Sequence, residues 1–157
     1  MPVHPELLDA SVDELDRAAA LMASWGHAKP AHIGRNPTPG LWMLGGARAL
    51  VETSEPGALT ADFTACADYR DAAEAAASVR CPVRMVVGLG DRMTPPKAAS
   101  KLAAALAGDR LAVTELADTG HMMMLENPRA TRQVLVDAVR ADGTVGAGGT
   151  VAAGSAG

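Results

Sequence analysis

From Cys81 onward the apolar residues of this chain stop recurring every third or fourth position and gather into two short runs, Val83 to Val87 and Leu111 to Leu116. The first run, with Val83, Met85, Val86 and Val87, is bounded by Cys81-Pro82 upstream and by Gly88 and Gly90 downstream, the pattern of an interior parallel strand. Between the runs, Thr94-Pro95-Pro96 pre-sets a helix start, because the first helical turn needs no amide hydrogens, and Gly108 ends the helix that Lys97 to Leu106 supplies. Two strands joined through a helix make one right-handed crossover unit, so the fold class is α/β. Asp91 lies just past the carboxyl end of the first strand, where open α/β sheets carry their chemistry. His121, thirty residues later in the loop TGHMMMLENP, follows the second strand and can reach it. Pro128 opens a last helix with Asn127 as its cap, and Leu135, Ala138 and Val139 are expected on its inner face.

Upstream of residue 80 every segment reads as helix or turn. Ser11 followed by Glu14 has the form of a capping box, and Leu15, Ala18, Ala19, Met22 and Trp25 then recur at helical spacing up to Gly26, predicting a helix from Val12 to about Trp25. The stretch 27–40 is rich in proline and glycine and reads as a loop, Leu41 to Val51 as a short helix, and Leu59 to Tyr69 as another, with Phe63, Cys66 and Ala67 on one side. The alanine-rich segment after Tyr69 is expected to stay helical up to the first strand. Residues 142–157, almost all glycine, alanine, threonine and valine, have little to bury and are expected to form a flexible tail.

A chain of 157 residues forms one domain and buries roughly two-thirds of its extended surface. Its formal charge of −4 comes with no lysine or arginine cluster, which argues against nucleic acid as a partner. No run of about eighteen apolar residues predicts a membrane span, and the acidic N-terminus does not read as a signal peptide, so a cytoplasmic location is the default expectation. Cys66 and Cys81 have neither disulfide-scaffold nor zinc-site spacing and read as ordinary buried thiols of a reducing compartment. His4, His27 and His32 lack ligand partners at useful spacing, and the glycines near Gly88 and Gly90 continue into no phosphate-binding motif. Neither a metal nor a cofactor is expected.

Residues 81 to about 140 resemble the C-terminal part of an α/β-hydrolase: a CP-led strand, then GLGDRMTPP, a helix, a strand, and GHMMMLENP leading into the last helix. The resemblance implies a partial α/β-hydrolase fold, with Asp91 as the orienting acid of a catalytic triad and His121 as its base. Residues 1–80 look more loosely like the helical cap that such enzymes insert before this strand, which divides the chain into 1–80, 81–141 and 142–157. The implied activity is hydrolysis of an ester, thioester, amide or C–C bond of a small molecule.

The nucleophile of that family sits on a G-x-S-x-G elbow, which also supplies part of the oxyanion hole. None of Ser11, Ser24, Ser54, Ser78, Ser100 and Ser155 has that setting. The chain is therefore expected to contribute acid and base but no nucleophile, and to be inactive alone. The alternative is a non-catalytic assembly module that keeps only the scaffold. A two-stranded sheet leaves one edge of its first strand bare, so the expected partner is a complementary N-terminal hydrolase half or a second copy. Met93, Met122, Trp25 and Trp42 are candidates for a substrate pocket. Methionines and cap tryptophans equally serve as packing residues, and Glu126-Asn127-Pro128 reads as a helix start.

Overall fold

The computed structural model describes residues 3–106, 108 and 110–141. The expected tail, 142–157, lies outside them. Among the described residues six helices precede the sheet: α1 (Pro5–Asp13), α2 (Leu15–Gly26), α3 (Lys29–His32), α4 (Met43–Val51), α5 (Ala58–Asp68) and α6 (Ala72–Ser78). Then come β1 (Val83–Gly88), α7 (Pro96–Ala105), β2 (Leu111–Leu116), the single turn α8 (Met123–Glu126) and α9 (Pro128–Ala141). The fold is a small parallel sheet flanked by helices, as the two apolar runs predict. β1 and β2 pair in parallel from Val83 opposite Leu111 to Gly88 opposite Leu116. Among the described residues β1 has no strand on its other side.

The capping box does not form. Pro5 at a first-turn position and His4, whose Nδ1 accepts from the Glu6 amide at 3.3 Å, start a helix earlier than the pattern suggests. Ser11 then falls in its last turn and donates back to the Leu8 carbonyl at 2.7 Å, the local bond a serine makes inside a helix. The chain breaks at Glu14 (φ −124°) before α2 begins. α3 is a short helix inside the stretch expected to be a loop. The alanine-rich segment forms α6, separated from α5 by a break after Asp68 and ending at Ser78, short of the first strand.

The main apolar cluster lies among the helices, where Leu7, Ala10 and Ala18 are buried under Leu21, Met22, Trp25, Leu59 and Phe63. Alanines at the α1–α2 contact let the two backbones approach closely, and Met93, from the loop after β1, packs into the same cluster. The sheet keeps its own buried residues, Val87 and Leu116.

Two expectations about burial are overturned. Cys66 and Cys81 are both exposed, because α5 buries no residue and Cys81 sits on the approach to β1. On α9 the residues turned inward include Thr131, Val134, Ala138 and Ala141, where the helix packs on α8 and β1. Leu135 and Val139 form a neighbouring stripe, 61% and 76% exposed, that no described residue covers. No helix among the described residues is long and apolar enough to cross a membrane.

Candidate active site

Asp91 and His121 meet at the carboxyl ends of β1 and β2. After β1 the chain turns sharply, with the Leu89 amide donating to the Leu116 carbonyl at 2.9 Å and the Gly90 amide to the Thr119 carbonyl at 2.8 Å. A Cβ on Gly90 would lie 2.5 Å from the Ala28 Cβ, and one on Gly88 would lie 2.4 Å from the Gly120 carbonyl oxygen. These glycines let the two loops and the end of α2 come together.

Asp91 is buried and accepts four hydrogen bonds. Its Oδ1 takes the amides of Met93 (2.8 Å) and Thr94 (2.9 Å). Its Oδ2 takes the Thr94 hydroxyl (2.7 Å) and Nδ1–H of His121 (2.9 Å). A carboxylate only accepts, so the proton between Asp91 and His121 sits on Nδ1 and the lone pair of the neutral ring is on Nε2. The Thr94 hydroxyl oxygen lies 3.1 Å from the same Nδ1 and helps fix the ring. Nε2 has no hydrogen-bond partner among the described residues, and the His121 side chain is about half exposed, 47%.

Burial pushes the Asp91 pKa up, but the hydrogen bonds from His121 and Thr94 outweigh it and hold the carboxyl below its ordinary value. The His121 pKa is raised, first by its hydrogen bond to Asp91, then against burial by the charges of Asp91 and Glu126. Asp91 is not a solvated acid neutralised by Arg92, since no ion pair joins the two among the described residues.

Of the pocket candidates, Trp25 and Met93 come together as walls of a cavity of about 260 Å³, with Leu7 and Phe63, and with His4, Arg92 and Cys66 as its polar members. His4 stands edge-on to Trp25 at 5.0 Å. Neither Asp91 nor His121 lines the cavity, but Met93 links the two regions: a Cβ on Gly26 would touch both the His121 Cβ and the Met93 Cγ at 3.8 Å. Met122 is half-buried on the His121 loop and does not line this cavity. Trp42 is elsewhere, 75% exposed, with its ring over Gly45 of α4.

The contacts between the helices and these loops had no local signal in the sequence. The Arg92 amide donates to the Trp25 carbonyl at 3.1 Å, and the amides of His121 and Met122 donate to the Gly26 carbonyl at 2.8 and 3.3 Å. Glu126, which read only as part of a helix start, accepts from the amides of Ala28 (2.8 Å) and Gly120 (3.0 Å). The hydroxyls of Ser11, Ser78 and Ser100 donate within their own helices, away from His121.

Solved structures that share this architecture include the following three. A thermophilic esterase matches with a TM-score of 0.67 at 21% identity, covering 92% of this chain and 52% of that one. A thermophilic esterase from Thermogutta terrifontis with malate bound matches at 0.70 and 18%, covering 88% of this chain and 52% of that one. Est816, described as an N-acyl homoserine lactone degrading enzyme, matches at 0.67 and 20%, covering 87% and 51%. The fold is part of an α/β-hydrolase fold. The chain spans about half the length of each of these structures. No protein-family model and no curated protein sequence matches it.

Proposed function

We propose that this chain is the acid–base portion of a serine-type α/β-hydrolase acting on carboxylic esters, with Asp91 orienting His121 and His121 serving as the base. The observation that carries the reading is the 2.9 Å contact between His121 Nδ1 and a buried, four-times hydrogen-bonded Asp91, with Nε2 left open. An ester is the first choice of substrate because two of the similar structures are described as esterases.

The nucleophile comes from a segment outside these 157 residues. Its serine oxygen attacks the acyl carbon while Nε2 takes the hydroxyl proton, and Asp91 stabilises the imidazolium so formed. The same proton then goes to the departing alcohol, and water, deprotonated in turn by Nε2, releases the acid. The two amide donors of the oxyanion hole arrive with the nucleophile segment. The helices of residues 1–80 act as the cap, and the cavity between Trp25, Phe63 and Met93 receives the apolar part of the substrate.

Short aryl esters test the division of labour. The purified chain should turn them over no faster than its His121→Ala variant, and a fluorophosphonate probe should label none of its six serines. Co-expression with a G-x-S-x-G polypeptide encoded beside it should produce turnover that His121→Ala abolishes. No such turnover from that pair would sink the hydrolase reading.

The bare edge of β1 and the Leu135–Val139 stripe support a second reading, an assembly module that has kept only the scaffold. A half-buried edge strand with only Arg84 as a charge is a template for another chain. Light scattering should find a self-associated species, or a stable complex with the complementary half. A monodisperse 16.0 kDa monomer that ignores that half would remove both partners.

A further inference from the structure

Among the described residues Glu126 is a carboxylate without an ion-pair partner, and each of its oxygens accepts a main-chain amide, one from the turn after α2 and one from its own loop. Oε2 accepts from Ala28, 98 residues away, and Oε1 from Gly120, the residue before His121. We infer that Glu126 is a positioning residue for His121: it clasps the turn after α2 to the histidine loop, so the helical layer sets the alignment of the base. This rests on the reading of His121 as the base.

The clasp works in two directions. Glu126 receives amides from both sides, while the Gly26 carbonyl receives the amides of His121 and Met122. The end of a helix leaves its last carbonyls without partners inside the helix, and α2 uses those of Trp25 and Gly26 to hold both loops of the acid–base pair. Ala28 is almost fully buried, so its amide depends on this carboxylate. The group must accept twice and donate nothing, which Glu does and Gln cannot. The room for it exists only because residue 120 is glycine: a Cβ there would lie 2.8 Å from Glu126 Oε1. The carboxylate also stands near enough to His121 to favour its charged form, behind the larger influence of Asp91.

Nuclear magnetic resonance on the full chain separates positioning from mere support of the fold. In Glu126→Gln, nearly isosteric, the side-chain oxygen can still accept one amide, and whichever of Ala28 and Gly120 is left facing the NH₂ group should exchange roughly ten- to a hundredfold faster, the size of one lost bond to a charged acceptor. The titration midpoint of the His121 ring should fall, and its Nδ1–H resonance should broaden. Asp91→Asn is the control. It should change the ring signals and leave exchange at Ala28 and Gly120 as in the wild type. A Glu126→Gln protein whose ring midpoint and Nδ1–H resonance match the wild type would overturn the inference, whatever its amides do. None of these signals needs turnover. If they change as expected while the reconstituted pair stays inactive, the hydrolase reading falls and the clasp stands. An active pair with an unmoved ring in Glu126→Gln sinks the clasp alone.

Discussion

Asp91→Asn, assayed with a serine-bearing segment supplied, should lose about 10⁴-fold in kcat while binding ester about as well. The cause is hydrogen-bond arithmetic. Oδ1 would still accept the amides of Met93 and Thr94, but the position of Oδ2 would hold an NH₂ group facing the Thr94 hydroxyl and Nδ1 of His121. The ring would then present its lone pair at Nδ1 and carry its proton on Nε2, where a base needs the lone pair. Without the Asp91 charge, burial is left to act on His121 and its pKa falls from its raised position.

The same pair fixes a stability window. Asp91, lowered from 3.8, contributes stability that is present above that value and lost as pH falls through its folded pKa. His121, raised from 6.5, contributes stability that is complete below that value and lost as pH rises through its folded pKa. Urea melts of the wild type should therefore show the pair's contribution greatest between the two ordinary values, shrinking on the alkaline side, and Asp91→Asn should flatten the profile. Because His121 is half exposed, solvent screens the effect and the curvature should be small. Catalysis should run the other way, its rate rising with pH as the raised His121 loses its proton. A rate in the reconstituted pair that is flat from pH 5 to pH 9 would contradict His121 as the base.

Gly120→Ala should be among the most damaging single changes to stability. The added methyl would sit 2.7 Å from both the Ala28 nitrogen and the Gly26 oxygen. Both are main-chain atoms and neither can swing aside. Overpacking of this kind, together with loss of the bonds at Gly26 and Glu126, should cost about 3 kcal/mol or more, lowering Tm by roughly 6–12 °C. Gly46→Ala is the contrast. Gly46 lies within α4 with nothing within 4 Å of an added Cβ, so alanine there should stabilise by up to about 1 kcal/mol. A Gly120→Ala protein melting with the wild type would mean that the end of α2 does not press on the histidine loop.

Where a residue's role depends on its neighbours along the chain, the sequence was legible. The β-branched run bounded by proline and glycine is β1, the double proline opens α7, and Asn127-Pro128 opens α9, whose Ala130 amide reaches Asn127 Oδ1 at 3.4 Å. Asp91 and His121 could be paired because each follows one of two parallel strands, and parallel neighbours end on the same side. Ser11 misled because serine at a helix boundary can cap the next helix or bond back into the last one, and both readings fit the same letters. Leu135 and Val139 misled because a helical period shows a stripe without showing what lies against it. Glu126 was unreadable for another reason. Its partners are main-chain amides, which every residue carries, so no side-chain pattern distinguishes Ala28 and Gly120 as its donors.

The bond between Ala28 and Glu126 also bears on the order in which the protein acquires its parts. Closing a loop of 98 residues costs about 4 kcal/mol in chain entropy, from (3/2)RT ln n, before any contact repays it. β1 and β2 close a far shorter span through α7, and α1 and α2 meet as sequence neighbours. Both contacts are therefore cheaper to close than the one between the halves. The turn after α2 reaches the histidine loop only when these two halves dock, so the bonds that Glu126 and Gly26 make between the halves are expected to form after the main folding barrier. Changes at Ala28, Gly120 or Glu126 would then act chiefly on how fast the native state comes apart, and little on how fast it forms. During synthesis the clasp between Ala28 and Glu126 cannot close until Glu126 has left the ribosome.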